Sequence, residues 1–268
     1  MGTGNFKAIN YRFRPGASMD KKIEIRNLNK SFGEKKVLQG IDLDVYRSEV
    51  LCIIGKSGSG KSVIMKHLVG IIEPDSGEII VDGVSFTGAD EAARESITKK
   101  YGILFQGAAL FDSMNIYDNV AFGMRRKGVP EDEIARAVPE MLGQVGLKDI
   151  EEKKPSELSG GMQKRAGLAR SIAIRPEIMI YDEPTTGVDP ITGGAVDRLI
   201  LDMRDTYGIT SIVVTHDMNS AYRTADRIAM LHQGKIVFTG TPEEIKQYDN
   251  EVVRQFVEGR AHGPISID

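Results

Sequence analysis

Gly55-Lys56-Ser57-Gly58-Ser59-Gly60-Lys61-Ser62 combines the residue types and spacing that wrap a polyphosphate. The residues before it, Val50-Leu51-Cys52-Ile53-Ile54, read as a buried strand, and Val63-Ile64-Met65-Lys66-His67-Leu68-Val69 reads as a helix. That context is what the pattern requires. Glycines let backbone N–H groups turn inward around phosphate oxygens, and the helix N-terminus adds positive potential. The Lys61 ammonium can then reach the β and γ oxygens, while the Ser62 hydroxyl can ligate Mg²⁺. The bland alternative is a glycine-rich turn without a ligand, which would not need a strand before it and a helix after it.

A second set of groups suits hydrolysis. Ile178-Met179-Ile180-Tyr181-Asp182-Glu183 is an apolar strand ending in two acids: the first carboxylate is placed to hold Mg²⁺ through a water, the second to polarise an attacking water. Taken alone, such a pair is equally a solvated turn; the phosphate loop upstream favours function. Gln106 ends the strand 103–105 and could complete the metal shell with its amide oxygen. His216 follows the strand 211–215, where an imidazole could meet the γ-phosphate and hold the water. Phe32, before Gly33 in a hairpin, could stack on adenine or simply pack. His67, His232 and His262 have no comparable support and read as structural.

The elements that must position these groups alternate. Residues 23–28 and 41–45 alternate apolar and polar, as half-buried antiparallel strands do, and 78–81 runs into a turn at Asp82-Gly83. Residues 103–105, 178–181 and 211–215 are short apolar runs suited to a parallel sheet covered on both faces. Asp189 and Pro190 open a helix over 190–207, and Thr241-Pro242-Glu243-Glu244 opens another. Residues 130–145 and 160–174 look helical, so the stretch between the strands at 105 and 178 reads as a helical insertion in an α/β core.

Composition sets bounds. The chain of 268 residues is 41% apolar, enough for a substantial core, and 35 Lys plus Arg nearly balance 38 Asp plus Glu. With no run of five like charges, nothing points to a nucleic-acid groove or a polybasic membrane patch. Cys52 is the single cysteine, so an internal disulfide is excluded and an inert buried thiol is expected. No apolar stretch approaches the roughly 18 residues of a membrane span. Residues 1–20 show no period and read as a flexible extension or a start-site artefact, with Met19 as a candidate natural start.

Taken in order, these segments and Leu158-Ser159-Gly160-Gly161-Met162 resemble the nucleotide-binding subunits of ATP-binding-cassette transporters over residues 22–245. The resemblance implies a P-loop NTPase (RecA-like) core with an antiparallel β subdomain and a helical subdomain over about 106–175, the whole ATPase domain spanning 21–248. It implies ATP and Mg²⁺ as cofactors, Asp182, Ser62 and Gln106 around the metal, and Lys61, Glu183 and His216 in catalysis. It further implies a head-to-tail dimer. Ser159, Gly160 and Gly161, at a helix start, would contact the γ-phosphate held by the opposite subunit, and the loop Gly187-Val188-Asp189 would lie at the dimer contact.

Two departures narrow the branch. Val63 stands where many members have Thr, leaving only a backbone N–H for the phosphates, and Met162 stands where Gln is usual. Both resemble the branch serving Mla and Mce-type phospholipid and lipid transport, as do residues 105–120 and 253–259. That branch implies a peripheral ATPase on the cytoplasmic face of the bacterial inner membrane, under two permease copies. An Mce-domain lipid-binding protein, and often a STAS-like small subunit, accompany it. Leu110, Phe111, Met114 and Tyr117 are candidate permease contacts or helical-domain core, and the tail 249–268 is a candidate subunit contact or a frayed end. ATPases for polar amino-acid import or lipoprotein release are the nearest alternatives. A cassette ATPase of DNA repair would need heptad arms or zinc cysteines, and a translation-type one a second cassette; the sequence has neither.

Overall fold

The computed structural model describes residues 20–266. The expectation for residues 1–20 therefore falls, apart from Asp20, outside the described residues. Strands β1 (Lys21–Phe32), β2 (Lys35–Tyr46), β4 (Ser76–Val81) and β5 (Val84–Ser85) form an antiparallel sheet in the order β2-β1-β4-β5. At the β4–β5 turn both Asp82 (φ 51°) and Gly83 (φ 75°) take positive φ, the mirror-image turn whose twist matches a two-residue hairpin.

The second sheet runs β10-β9-β3-β8-β7-β6, built from β3 (Val50–Ile54), β6 (Tyr101–Leu104), β7 (Ile178–Asp182), β8 (Thr210–Thr215), β9 (Arg227–His232) and β10 (Lys235–Gly240). All its neighbours are parallel except the β9–β10 hairpin. Strand β6 ends at Leu104, one residue earlier than expected, and Gln106 sits in the turn that follows. The reason is local: Ala108 N–H bonds Phe105 O at 2.9 Å and residues 108 and 109 take positive φ, so the backbone turns away from the ladder.

The apolar runs are continuous because the large sheet is covered on both faces. Along β3, Val50, Cys52 and Ile54 enter one core, while Leu51 and Ile53 enter the other. The first core is closed by helices α3 (Ile116–Arg126), α4 (Glu131–Gln144) and α5 (Gly160–Ala173), which stand between β6 and β7 in the chain, and by α6 (Pro190–Tyr207). The second lies between the two sheets and includes α1 (Lys61–Leu68) and α2 (Glu91–Thr98). Helices α7 (Met218–Thr224), α8 (Pro242–Gln247) and α9 (Glu251–Glu258) complete the chain. Cys52 is buried, as expected, against the Thr224 hydroxyl at 3.5 Å. Among the described residues no helix is long and apolar enough to cross a membrane.

Charge also ties the two sheets together. The Asp82 carboxylate at the β4–β5 turn accepts from Lys22 (2.8 Å), Arg47 (2.5 Å) and Lys100 (2.5 Å), and Lys22, only 2% exposed, also reaches Glu177 at 2.5 Å. Burial works against the Asp82 charge, but the hydrogen bonds from Lys100 and Lys22 outweigh it and hold the acid at about 2. A carboxyl depressed from 3.8 to about 2 stabilises the fold by about 2 kcal/mol above its unfolded pKa, and this is lost as pH falls toward 2. Asp82→Asn is therefore expected to lower unfolding free energy by about 2 kcal/mol at pH 7, with the gap from wild type narrowing by about half at pH 3. Urea titrations at the two pH values measure this; equal gaps would remove the linkage.

Candidate active site

The phosphate loop leaves β3 and re-enters structure at α1, whose N-cap is Gly60. Gly55 is required by close approach: a Cβ there would lie 2.3 Å from Leu231 O and 2.9 Å from Ser59 Oγ. The Lys61 ammonium, in a residue 7% exposed, donates to Gly55 O (2.6 Å) and Lys56 O (3.2 Å), so the loop's own carbonyls hold it at the start of α1. Burial lowers its pKa while the charges of Glu183 and Asp182 act the other way. A lysine at a helix start, within the field of two acids, is set to meet a multivalent anion bearing a cation.

Parallel pairing brings the remaining groups to the same sheet edge. Ile54 is opposite Thr215, and Asp182 opposite Val214, so the ends of β3, β7 and β8 come level and Asp182, Glu183 and His216 emerge beside the loop. A cleft of about 720 Å³, a size suited to a nucleotide, is lined there by Phe32, Lys56, Lys61, Ser62, Gln106, Asp182, Glu183 and His216. Ser57, Gly58, Gly60 and Val63 line it as well. Phe32 is 50% exposed at the end of β1, which makes it a cleft wall rather than core packing.

Within the cleft the geometry is specific. Glu183 Oε2 lies 2.8 Å from His216 Nδ1 and accepts from the Thr186 hydroxyl at 3.0 Å, with the Thr215 hydroxyl at 3.5 Å. Glu183 itself takes φ 49°, a left-handed conformation that costs a non-glycine residue energy. Its N–H is anchored on Val214 O at 2.8 Å. A carboxylate so held can orient and deprotonate a water, and the imidazole beside it can donate to an oxyanion. Burial first, and then the Glu183 charge, raise the Asp182 pKa; Lys61 opposes them. Ser62, Gln106 and Asp182 offer a hydroxyl, an amide and a carboxylate on one cleft, the hard oxygen donors that suit Mg²⁺ with phosphate and water.

Ser159, Gly160, Gly161 and Asp189 do not line this cleft. Ser159 caps α5 through Met162 N–H at 3.3 Å and is exposed. Asp189 caps α6, accepting from the N–H groups of Ile191 and Thr192, both at 3.0 Å, and from the Thr192 hydroxyl at 2.6 Å. A Cβ on Gly161 would lie 2.5 Å from Thr192 Cγ2, so glycine there allows the α5 start to pack on the first turn of α6, which Asp189 caps. One exposed face therefore carries both segments, beside Ile191, which is 87% exposed.

Two features were not foreseen from the sequence. The tail is docked on its own chain: Val253 is fully buried, Phe256 lines the cleft, and Lys56 Nζ donates to Ser266 O at 2.7 Å. Gln255 latches it, accepting from Ile265 N–H at 2.6 Å and donating to Ile265 O at 3.0 Å. The apolar spacing of Val252, Val253 and Phe256 was the available signal for a packed helix rather than a frayed end. The other is Lys164, 6% exposed on α5, whose ammonium donates to the carbonyls of Glu183, Pro184 and Thr186. Of the candidate permease contacts, Leu110 and Tyr117 pack against the first core, whereas Phe111 is 40% exposed under the Arg170 guanidinium.

The family model for ABC transporters matches residues 38–186. The chain belongs to the ABC transporter family. Over 246 residues it is 41% identical to the probable ribonucleotide transport ATP-binding protein mkl of Mycobacterium leprae, covering 91% of this chain and 71% of that protein. Over 244 residues it is 36% identical to the intermembrane phospholipid transport system ATP-binding protein MlaF of Escherichia coli K12, covering 91% of each. Among solved structures it is similar to the ATP-binding cassette MJ0796, captured as a dimer in a post-hydrolysis state with ADP and Pi (TM-score 0.74, 28% identity, 82% of this chain and 98% of that one). This ABC subunit is an ATPase: it binds ATP, hydrolyses it to ADP and phosphate, and is the motor of a membrane transporter. Its P-loop NTPase architecture is the one that the family resemblance implied.

Proposed function

We propose that two copies of this ABC subunit bind two ATP molecules head to tail and drive a lipid permease. The observation that carries this reading is the division of groups within one chain: the cleft gathers Lys61, Asp182, Glu183 and His216, while Ser159, Gly160 and Asp189, all exposed, and the half-buried Gly161 lie outside it. A second copy, turned about a twofold axis, brings those outer residues against the cleft and makes both sites alike. Dimeric MJ0796 supports this arrangement.

In each site Phe32 stacks on adenine, and the backbone N–H groups of residues 55–63 and Lys61 hold the phosphates. Mg²⁺ would sit among Ser62, Gln106 and, through water, Asp182, neutralising phosphate charge when bound. Glu183 takes a proton from the attacking water, and His216, whose Nδ1 lies 2.8 Å from Glu183 Oε2, presents Nε2 to the γ-phosphate. The α5 N-terminus of the opposite copy adds Ser159 and the positive end of a helix to that phosphate. Hydrolysis removes the γ-phosphate contacts and lets the copies part, a change that a docked permease follows.

The cargo reading rests on Val63, Met162 and residues 105–120 and 253–259, and on the similarity to MlaF. It places the ATPase peripherally at the cytoplasmic face of a bacterial inner membrane, with permease subunits, an Mce-domain lipid-binding protein and a STAS-like small subunit. Because the similar mkl protein carries a ribonucleotide transport name, the partners are the discriminating observation. Mild-detergent purification of the full chain is expected to retain a permease and an Mce-domain protein. Recovery of a permease with a periplasmic receptor for a nucleoside or amino acid would overturn the lipid reading.

A further inference from the structure

Among the described residues, Lys164 is a buried cation without a carboxylate partner at hydrogen-bond distance. Its ammonium is 3.3 Å from Glu183 O and 2.9 Å from Pro184 O, and also bonds Thr186 O. These three carbonyls belong to the turn that puts Glu183 at φ 49°. Ordinarily such carbonyls face water or join a ladder; here one side chain gathers them, as a helix cap would. The turn is held from the other side by Glu183 N–H on Val214 O and by Thr186 Oγ1 on Glu183 Oε2. Losing the ammonium would leave three carbonyls short of a donor and remove the group that favours the strained backbone.

The position of Lys164 in its helix gives the contact a second consequence. Ser159 caps α5, and Lys164 lies about 7.5 Å further along the same helix axis. One rigid rod thus carries a phosphate-facing cap at its start and a clamp on the catalytic turn one turn and a half later. Those two ends serve different nucleotides in the head-to-tail dimer.

We propose that Lys164 is a positioning residue that fixes the Glu183 turn, and that α5 thereby passes the seating of Ser159 on one ATP to the base that serves the other. The transmission half rests on the dimer reading of the preceding subsection; the positioning half does not. Burial lowers the Lys164 pKa while the Glu183 charge opposes that, consistent with an ammonium held at this acid's backbone.

Lys164→Met keeps length and apolar bulk but removes the donors; Lys164→Arg restores charge and donors. With the full chain and any permease that co-purifies, Lys164→Met is expected to lower kcat by about 10- to 100-fold, the loss that follows from small misplacement of a reacting group. KM should stay within about twofold and nucleotide stoichiometry at one per chain, because the phosphate loop and Lys61, which hold the nucleotide, are untouched. Lys164→Arg should recover most of the lost kcat. The Hill coefficient of ATPase against ATP concentration should fall toward unity in Lys164→Met. A kcat within twofold of wild type, or equal losses in the Met and Arg variants, would overturn the positioning role. A Hill coefficient unchanged by Lys164→Met would overturn the transmission. If the dimer reading itself fails, ATP will not drive dimerisation of the Glu183→Gln variant, and kcat still decides the positioning role.

Discussion

Glu183→Gln is expected to lower ATP turnover by roughly 100- to 10,000-fold, the range that a positioned general base contributes, while ATP still binds. Glutamine preserves the shape of the side chain and an oxygen that can accept from Thr186 and His216, so the 3.0 Å and 2.8 Å contacts have a counterpart. What it loses is the ability to take a proton. The backbone turn, fixed by Glu183 N–H on Val214 O and by Lys164, does not depend on that charge. Steady-state phosphate release and the affinity for a fluorescent ATP analogue separate the two properties. Turnover near wild type would assign the base elsewhere; lost binding would make Glu183 a binding group instead.

Lys61→Ala acts on the other side of the reaction. Lys61 is a 7% exposed residue, and its charge feels those of Glu183 and Asp182. Removing it leaves two acids beside a phosphate chain with one fewer cation, so like-charge repulsion adds to the lost hydrogen bonds. A hydrogen bond to a charged group contributes about 1.5–3 kcal/mol, which corresponds to about 10- to 100-fold weaker ATP binding. Turnover should fall further than binding, because charge on the bridging and β oxygens grows as the bond to the γ-phosphorus breaks. Calorimetric titration and ATPase assays on the same preparation measure both. Unchanged affinity and activity would remove the phosphate loop from the site.

The parts of the site legible in sequence were those whose chemistry and backbone signal coincide. The glycines of 55–60 with Lys61, and Asp182-Glu183 at the end of an apolar run, need only a strand end to be placed, and parallel pairing of β3, β8 and β7 supplied it. Gln106 and His216 were legible through their place after strands, although the turn after Leu104 ended β6 one residue early. The two faces of the large sheet were also legible, because Val50–Ile54 is apolar at every position and each residue enters one of two cores.

What stayed hidden depends on contacts that no local period encodes. Lys164 looks like any polar residue in a helix; only the fold brings residues 183–186 beneath it. Phe256 reaches the cleft because Gln255 and Val253 dock the tail. The β9–β10 hairpin was missed although residues 227–232 are largely apolar; β9 becomes a strand by pairing with β3, a long-range partner. Ser159 and Gly161 show the reverse case: the motif was plain, and the structure adds that it lies outside its own cleft, with Gly161 against Thr192 of the α6 start.

That separation makes the trans arrangement of the site directly measurable. Two single-substitution chains, Ser57→Cys in the exposed phosphate loop and Ser159→Cys at the α5 cap, are each built in the Glu183→Gln background, where the native Cys52 thiol is fully buried and inert. A short bis-thiol-reactive linker is added with and without Mg²⁺-ATP. The predicted result is a covalent species of twice 29.4 kDa only when the two chains are mixed and nucleotide is present. No linked species in the mixture, or the same yield from either chain alone, would contradict a site completed by the second copy.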